Sequence, residues 1–129
     1  RTLHGLNTRG FPNLFILSNG QTAFTTNFPH SMEETATNIL YIIDQCRYGN
    51  VSTVEPTQEA EDAWVEEIIR LSRINDDFQA TCTPGYYNNE GQPNPTSAQN
   101  SSYGKGPNAF FKLMQQWREE GSMQGLELG

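Results

Sequence analysis

The residues best placed for chemistry lie in a polar loop at positions 18–30. The loop is rich in hydroxyl, amide and small side chains, and no Asp or Glu precedes Glu33. It leads into a stretch with helical periodicity, whose N-terminus would offer free backbone N–H groups and about half a positive charge. Such a site suits an electron-rich or anionic ligand atom. The alternative interpretation is an ordinary connection from a strand to a helix.

Motifs for other kinds of active site are weak. His4 and His30 are far apart in sequence, and no Cys-x-x-Cys or His-x-x-x-His motif accompanies them, which argues against a metal site. Residues 104–107 lack the spacing and the preceding strand of a phosphate loop. The acidic run at 59–67 is most simply a solvated helix face. The residues alone therefore identify no self-contained catalytic centre.

Composition and charge exclude several classes of protein. The chain has 129 residues, enough for one ordinary domain, with 35% hydrophobic residues and a net charge of −7. It has no cluster of Lys and Arg, so a nucleic-acid or anionic-membrane surface is not expected. No apolar run approaches the roughly 18 residues of a membrane span.

The first residue and the cysteines of the chain indicate a piece of a longer protein in a reducing compartment. The chain begins at Arg1 with neither a Met nor a signal peptide, and we expect it to be a piece of a longer polypeptide. Its only cysteines are Cys46 and Cys82. Two cysteines in a chain of this length favour free thiols in a reducing compartment, so a cytoplasmic location is expected.

A strand and a helix are predicted to position the polar loop. The apolar run at 13–17 follows Gly and Pro and predicts a buried strand. Ser31 and Glu34 form an S-x-x-E capping box that predicts the helix start, and Gly49 with Asn50 predicts its end. The predicted apolar face of this helix consists of Met32, Ala36, Ile39, Leu40 and Ile43.

Two further helices are predicted in the rest of the chain. The first runs from Thr57 to about Ile74 and the second from about Ala109 to Glu120, where Gly121 ends it. Their predicted apolar stripes are Ala60, Trp64, Ile68 and Leu71 in the first, and Phe110, Leu113, Met114 and Trp117 in the second. Residues 76–108 show no periodicity, which predicts a functional segment or one that drapes over a larger body.

Distinctive motifs occur in order along nearly the whole chain. They are RGFPNLF at 9–15, GQTAFTTNFPH at 20–30, EDAWV at 61–65, CTPGYYNNEG at 82–91, FF at 110–111 and QWR at 116–118. Together they resemble the C-terminal part of flavin-dependent Baeyer–Villiger monooxygenases. The subgroup they resemble most acts on steroids and other bulky or long-chain ketones.

This resemblance implies an α/β fold and a division of the chain at about residue 50. Residues 1–50 would be the C-terminal strand–loop–helix of a doubly wound FAD-binding domain. Residues 51–129 would be a mostly irregular extension with two helices, packing over the dinucleotide domains. The implied cofactors are FAD and NADPH. The implied partners are a ketone, O₂ and the missing N-terminal part of the same enzyme, and the product is an ester or lactone.

The resemblance also implies roles for individual residues. FAD would be bound by Gly20, Gln21, Thr22, Asn27 and Phe28, NADP by Thr83, and the substrate by Ala23, Phe24 and Tyr86. The G-x-G-x-x-G fingerprints, the F-x-G-x-x-x-H motif and the essential Arg of the family have no counterpart in this chain. No catalytic residue or metal ligand is therefore predicted, and the fragment is expected to be inactive alone. The alternatives are a related flavin monooxygenase that oxidises nitrogen or sulfur, and a non-catalytic cleaved domain that binds a partner.

Overall fold

Three helices and a small sheet make up the described part of the chain. The structure, a computed structural model, describes residues 1–73, 81, 83–92 and 94–129. The helices are α1 (Phe28–Tyr48), α2 (Gln58–Leu71) and α3 (Pro107–Glu120), with a 3₁₀ helix at Tyr86–Gly91. The strands β1 (Val54–Pro56) and β2 (Leu126–Leu128) pair antiparallel. None of the helices in these residues is long and apolar enough to cross a membrane.

Helix α1 begins earlier than the capping box predicts. Asn27 is the N-cap, and its side chain accepts a hydrogen bond from the N–H of His30 at 3.3 Å. Pro29 stands in the first turn, where a missing N–H costs nothing because that group has no partner within the helix. Ser31 and Glu34 therefore lie inside the helix, and the predicted start is wrong.

The buried face of α1 also differs from the predicted one. Ser31, Asn38 and Ile42 are buried, whereas Leu40 and Ile43 are 60% and 39% exposed. Consecutive helical residues are about 100° apart, so the two sets occupy neighbouring faces. Asn38 faces the core because its side chain accepts a hydrogen bond from an arginine of α3. The apolar stripe predicted for α1 is thus largely on the surface of the described chain.

The strand predicted at 13–17 is wrong for the described residues. This segment forms a turn and irregular backbone, and Leu14 and Leu17 are 44% and 56% exposed. Its backbone pairs with the N-terminal turn at one place, where the N–H of Ile16 donates to the carbonyl of Leu6 at 2.7 Å. A strand needs a ladder of such bonds to a neighbour, whereas this segment makes one backbone bond to a described strand, from the N–H of Asn13 to the carbonyl of Val54 in β1 at 2.9 Å.

The other helix boundaries follow the sequence prediction closely. Thr57 caps α2 by accepting a hydrogen bond from the N–H of Ala60 at 3.1 Å, while Ile74 lies outside the described residues. Helix α3 begins two residues before the predicted position. It ends at Gly121, whose φ of 71° is the left-handed conformation common after helices.

The apolar stripes predicted for α2 and α3 are confirmed and form the core. Their buried members are Trp64, Ile68, Phe110, Met114 and Trp117. Trp64 stacks on Tyr103 with ring centroids 5.5 Å apart, which joins α2 to the irregular segment before α3. The core therefore lies between these two helices and the segments that pack on them.

The prediction of a free thiol is confirmed for Cys46. This residue is half-buried on α1, and burial raises the pKa of its thiol. The thiol is therefore protonated at neutral pH. Cys82 lies outside the described residues.

Candidate cofactor site

The polar loop has a buried inner part and an exposed outer part. Gln21, Thr22 and Ala23 are only 3%, 7% and 4% exposed. Phe24 and Phe28, which follow them, are 59% and 50% exposed. The inner part therefore holds the loop in place, and the outer part is open to a ligand.

Four hydrogen bonds converge on Gln21 in the inner part. Its backbone N–H donates to the carbonyl of Ser101 at 2.8 Å, and its carbonyl accepts from Nε1–H of Trp64 at 3.0 Å. Its side-chain Nε2 donates to the carbonyl of Gln99 at 2.8 Å. Its Oε1 accepts from the hydroxyl of Thr2. Sequence reasoning assigned Gln21 to the cofactor, whereas in the structure its side chain is committed to these partners.

Gly5 packs against the buried side of the loop. Its φ is +70°, and a Cβ at this position would lie 2.7 Å from Cβ of Thr22 and 3.0 Å from the carbonyl oxygen of Gln21. Only glycine satisfies both the backbone conformation and the available space. The N–H of Gly5 donates to the hydroxyl of Thr2 at 3.1 Å, so the N-terminal turn is bonded to the same network.

The outer part of the loop leads to the N-terminus of α1. The first turn of this 21-residue helix contains no acidic residue. Besides capping the helix, Asn27 donates its own N–H to the hydroxyl of Thr25 at 3.2 Å. The remaining N–H groups of the first turn carry about half a positive charge. With the exposed rings of Phe24 and Phe28, this surface suits a planar, electron-rich ligand.

His4 lies behind the loop, between two indole rings. Its ring centroid is 4.9 Å from that of Trp64 and 5.6 Å from that of Trp117, in edge-on contacts. Burial lowers the pKa of His4 to about 4, so its imidazole is neutral at physiological pH. Together with Thr22 and Asn38 it also lines a cavity of about 10 Å³, room for one water molecule. Sequence reasoning found no role for His4 because its aromatic partners are distant in the chain.

The other two predicted site residues lie farther along the chain. Thr83 is exposed on irregular backbone, and Tyr86, 88% exposed, begins the 3₁₀ helix. Sequence reasoning missed the residues that hold the loop, which are Thr2, Gly5, Trp64, Gln99 and Ser101. Gln99 and Ser101 act through backbone carbonyls, which every residue type has, so no sequence pattern could identify these two.

Curated relatives match nearly the whole chain. Neopentalenolactone D synthase of Streptomyces avermitilis is 41% identical over 128 residues, which are 99% of this chain and 22% of that protein. The FAD-binding monooxygenase hmp7 of Hypomyces subiculosus is 39% identical, over 98% of this chain and 21% of its own length. A Baeyer–Villiger monooxygenase of Streptomyces coelicolor is 41% identical, over 93% of this chain and 19% of its own length. The chain thus spans about a fifth of the length of these relatives.

Solved structures share the fold of the chain. The polycyclic ketone monooxygenase of Thermothelomyces thermophila superposes with a TM-score of 0.80 at 31% identity, covering 99% of this chain and 21% of that one. A steroid monooxygenase bound to NADP gives a TM-score of 0.71 at 22% identity, covering 99% of this chain and 22% of that one, a likeness of fold alone. No family model matches the chain. Over nearly its whole length, the chain is therefore related to one segment of the Baeyer–Villiger monooxygenases, as its sequence motifs indicated.

Proposed function

We propose that this chain is the C-terminal segment of an FAD- and NADPH-dependent monooxygenase that inserts an oxygen atom next to a ketone carbonyl. The product is an ester or a lactone. The observation that carries this proposal is the 41% identity, over 93% of the chain, to a protein named as a Baeyer–Villiger monooxygenase. In this role residues 1–50 contribute the polar loop and α1, rather than a strand, to the FAD-binding domain, and residues 51–129 pack over the dinucleotide domains.

The residues of the loop fit a flavin. Reduced flavin carries negative charge, and the outer loop offers an uncharged surface and a helix N-terminus free of carboxylates. Asn27 and Phe28 would contact FAD directly, with Gly20 and Thr22 beside them. The oxygen chemistry would be supplied by FAD after its reduction by NADPH.

The remaining residues of the chain would bind and shield the reactants. Phe24 is the most exposed of the proposed substrate residues in the loop, and its ring would exclude water from the ketone. Tyr86 would complete that wall and Thr83 would contact NADP, whereas Ala23 is buried and would support Phe24 from within the chain. The essential Arg of the family would come from outside this chain, so the chain itself binds and orients and has no catalytic group of its own.

The experiment that tests this proposal places a charge in the loop. In the full-length protein, Asn27→Asp keeps the helix cap, because Asp caps a helix as well as Asn does. The new carboxylate opposes the negative charge of reduced FAD by a few kcal/mol at an effective dielectric constant of about 20. Turnover should fall roughly ten- to several-hundred-fold, with a more negative reduction potential of the bound FAD. NADPH consumption, ester yield and a potentiometric titration measure these effects.

A matched control is available at the other end of α1. Asn50 is exposed just beyond this 21-residue helix, about 30 Å from Asn27 at 1.5 Å per residue, so Asn50→Asp adds the same charge far from the loop. It should leave turnover unchanged. If Asn27→Asp behaves like Asn50→Asp while FAD stays bound, the loop is only a connection. Oxidation of amines or sulfides without any ester from ketones would overturn the assigned reaction.

A further inference from the structure

Gln21 joins three separate parts of the chain. Its hydrogen bonds reach Thr2 in the N-terminal turn, Trp64 in α2, and Gln99 and Ser101 in the segment before α3. The next residue of the loop is tied to the same segment, because its carbonyl accepts from the N–H of Tyr103 at 2.9 Å. The inner part of the loop is thus hydrogen-bonded to the N-terminal turn, to α2 and to the segment before α3.

Glutamine is the side chain that this position requires. Its amide accepts from Thr2 and donates to Gln99 at the same time, in a site where Gln21 is only 3% exposed. A buried polar group without its partner is unfavourable, so neither bond is easily given up. The φ of Gln21 is +61°, an uncommon value for a residue other than glycine. The surrounding bonds must therefore hold this backbone conformation.

We propose that Gln21 is a positioning residue, whose buried amide fixes the conformation of the exposed loop at Phe24 and Asn27. Phe24 follows Gln21 by only three residues, so a shift of the inner backbone moves the outer residues with it. Gln21 acts from behind the loop and does not touch the cofactor. The use of this positioning for FAD rests on the proposed function, whereas the positioning itself does not.

The test is hydrogen exchange of the full-length protein without FAD, followed by mass spectrometry. Gln21→Met keeps the approximate shape of the side chain and removes both hydrogen bonds of the side-chain amide. Peptides covering residues 20–28 and 99–103 should exchange roughly ten-fold faster, the factor expected for the loss of one or two buried hydrogen bonds. Peptides from α3 should be unchanged. The matched control is Gln116→Met, because Gln116 is exposed on α3.

The variant Gln21→Glu adds a pH profile that a general packing defect would not give. At neutral pH its carboxylate faces the carbonyl of Gln99 and cannot donate. On protonation at lower pH the carboxyl group donates again, so the exchange rate relative to wild type should return toward one. Gln21→Met has no such group and should show no recovery. In the protein with FAD bound, the visible spectrum of the FAD should shift in Gln21→Met and should not shift in Gln116→Met.

A milder variant covers the case in which Gln21→Met does not fold. Thr2→Val removes the hydroxyl that donates to Gln21 and accepts from the N–H of Gly5, and it should speed exchange in the same peptides several-fold. Unchanged exchange of the loop in the folded variants, or equally faster exchange throughout α3, would overturn the positioning role. If the loop loosens as expected but the wild-type protein binds no FAD, the positioning role is supported and the proposed function fails.

Discussion

His4 shows how a polar residue can serve packing at the scale of a single side chain. Its ring contacts the edges of Trp64 and Trp117, one from α2 and one from α3. The indole N–H groups are used elsewhere, since Trp64 donates to Gln21 and Trp117 donates to the carbonyl of Gln124. The imidazole is therefore held by apolar contacts, which favour its neutral form.

Lowering the pH should destabilise the fold through His4. Its pKa is about 4 in the folded chain against an ordinary 6.5. Between these values the unfolded chain binds a proton that the folded chain does not, so the free energy of unfolding falls as the pH falls from about 6.5 to about 4. The total loss is roughly 2–3 kcal/mol. Melting temperatures of the full-length protein at pH 7.5 and 5.0 measure this loss, compared with the non-titrating variant His4→Phe.

The variant and its control separate titration from packing. His4→Phe should lose part of the pH dependence, and any cost of the left-handed backbone at φ 55° affects both pH values alike. An exposed residue that does not titrate provides the control, and Gln116→Phe on α3 should keep the wild-type pH dependence. If the melting temperature falls by the same amount between pH 7.5 and pH 5.0 in wild type and in His4→Phe, His4 does not titrate in this range.

Among the helices, sequence periodicity predicted the apolar faces of α2 and α3 correctly and failed for α1. The acidic run on α2 is not wholly solvated as expected, because Glu61 is 4% exposed and accepts a hydrogen bond from the N–H of Arg9 at 2.6 Å. Helices α2 and α3 bury apolar stripes that alternate with charged residues, so hydropathy revealed them. Helix α1 buries Ser31 and Asn38, and Asn38 is stabilised by a hydrogen bond from Arg118 of α3. A local pattern cannot detect such a partner. The strands β1 and β2 were missed because each has only three residues and they pair across most of the chain.

The junction between α2 and the segment before α3 should tolerate no side chain at Gly104. A Cβ there would lie 1.8 Å from the carbonyl oxygen of Leu71 and 2.9 Å from its Cβ. Gly104→Ala must therefore displace the end of α2, at a cost of about 1–3 kcal/mol or more. Gly85 is the control, because the nearest atom of the described residues would lie 4.0 Å from its Cβ. Thermal melting should show a clear loss for Gly104→Ala and almost none for Gly85→Ala; equal losses would contradict this packing argument.

At the scale of the whole molecule, the N-terminal third exposes five large apolar side chains, which we call the apolar strip. They are Phe11, Leu14, Leu17, Phe24 and Phe28, all between 44% and 62% exposed. Exposed apolar side chains in such number favour an interaction site. The position of the loop could be predicted from the sequence, but the contacts that hold it could not, because they join Gln21 to residues between 19 and 80 positions away in the chain.

We expect this strip to be covered by the rest of the full-length protein, so the isolated chain should self-associate. The curated relatives are about five times longer than the segment they share with this chain. Replacing Phe11 and Leu17 by Ser should raise the monomeric fraction of residues 1–129, measured by size-exclusion chromatography with light scattering. The same double variant should lower FAD retention in the full-length protein, because there the strip would be an internal contact. Tyr48, 86% exposed at the other end of α1, gives the control, and Tyr48→Ser should change neither quantity. An isolated wild-type chain that stays monomeric, melts cooperatively and binds FAD would contradict this account of the strip.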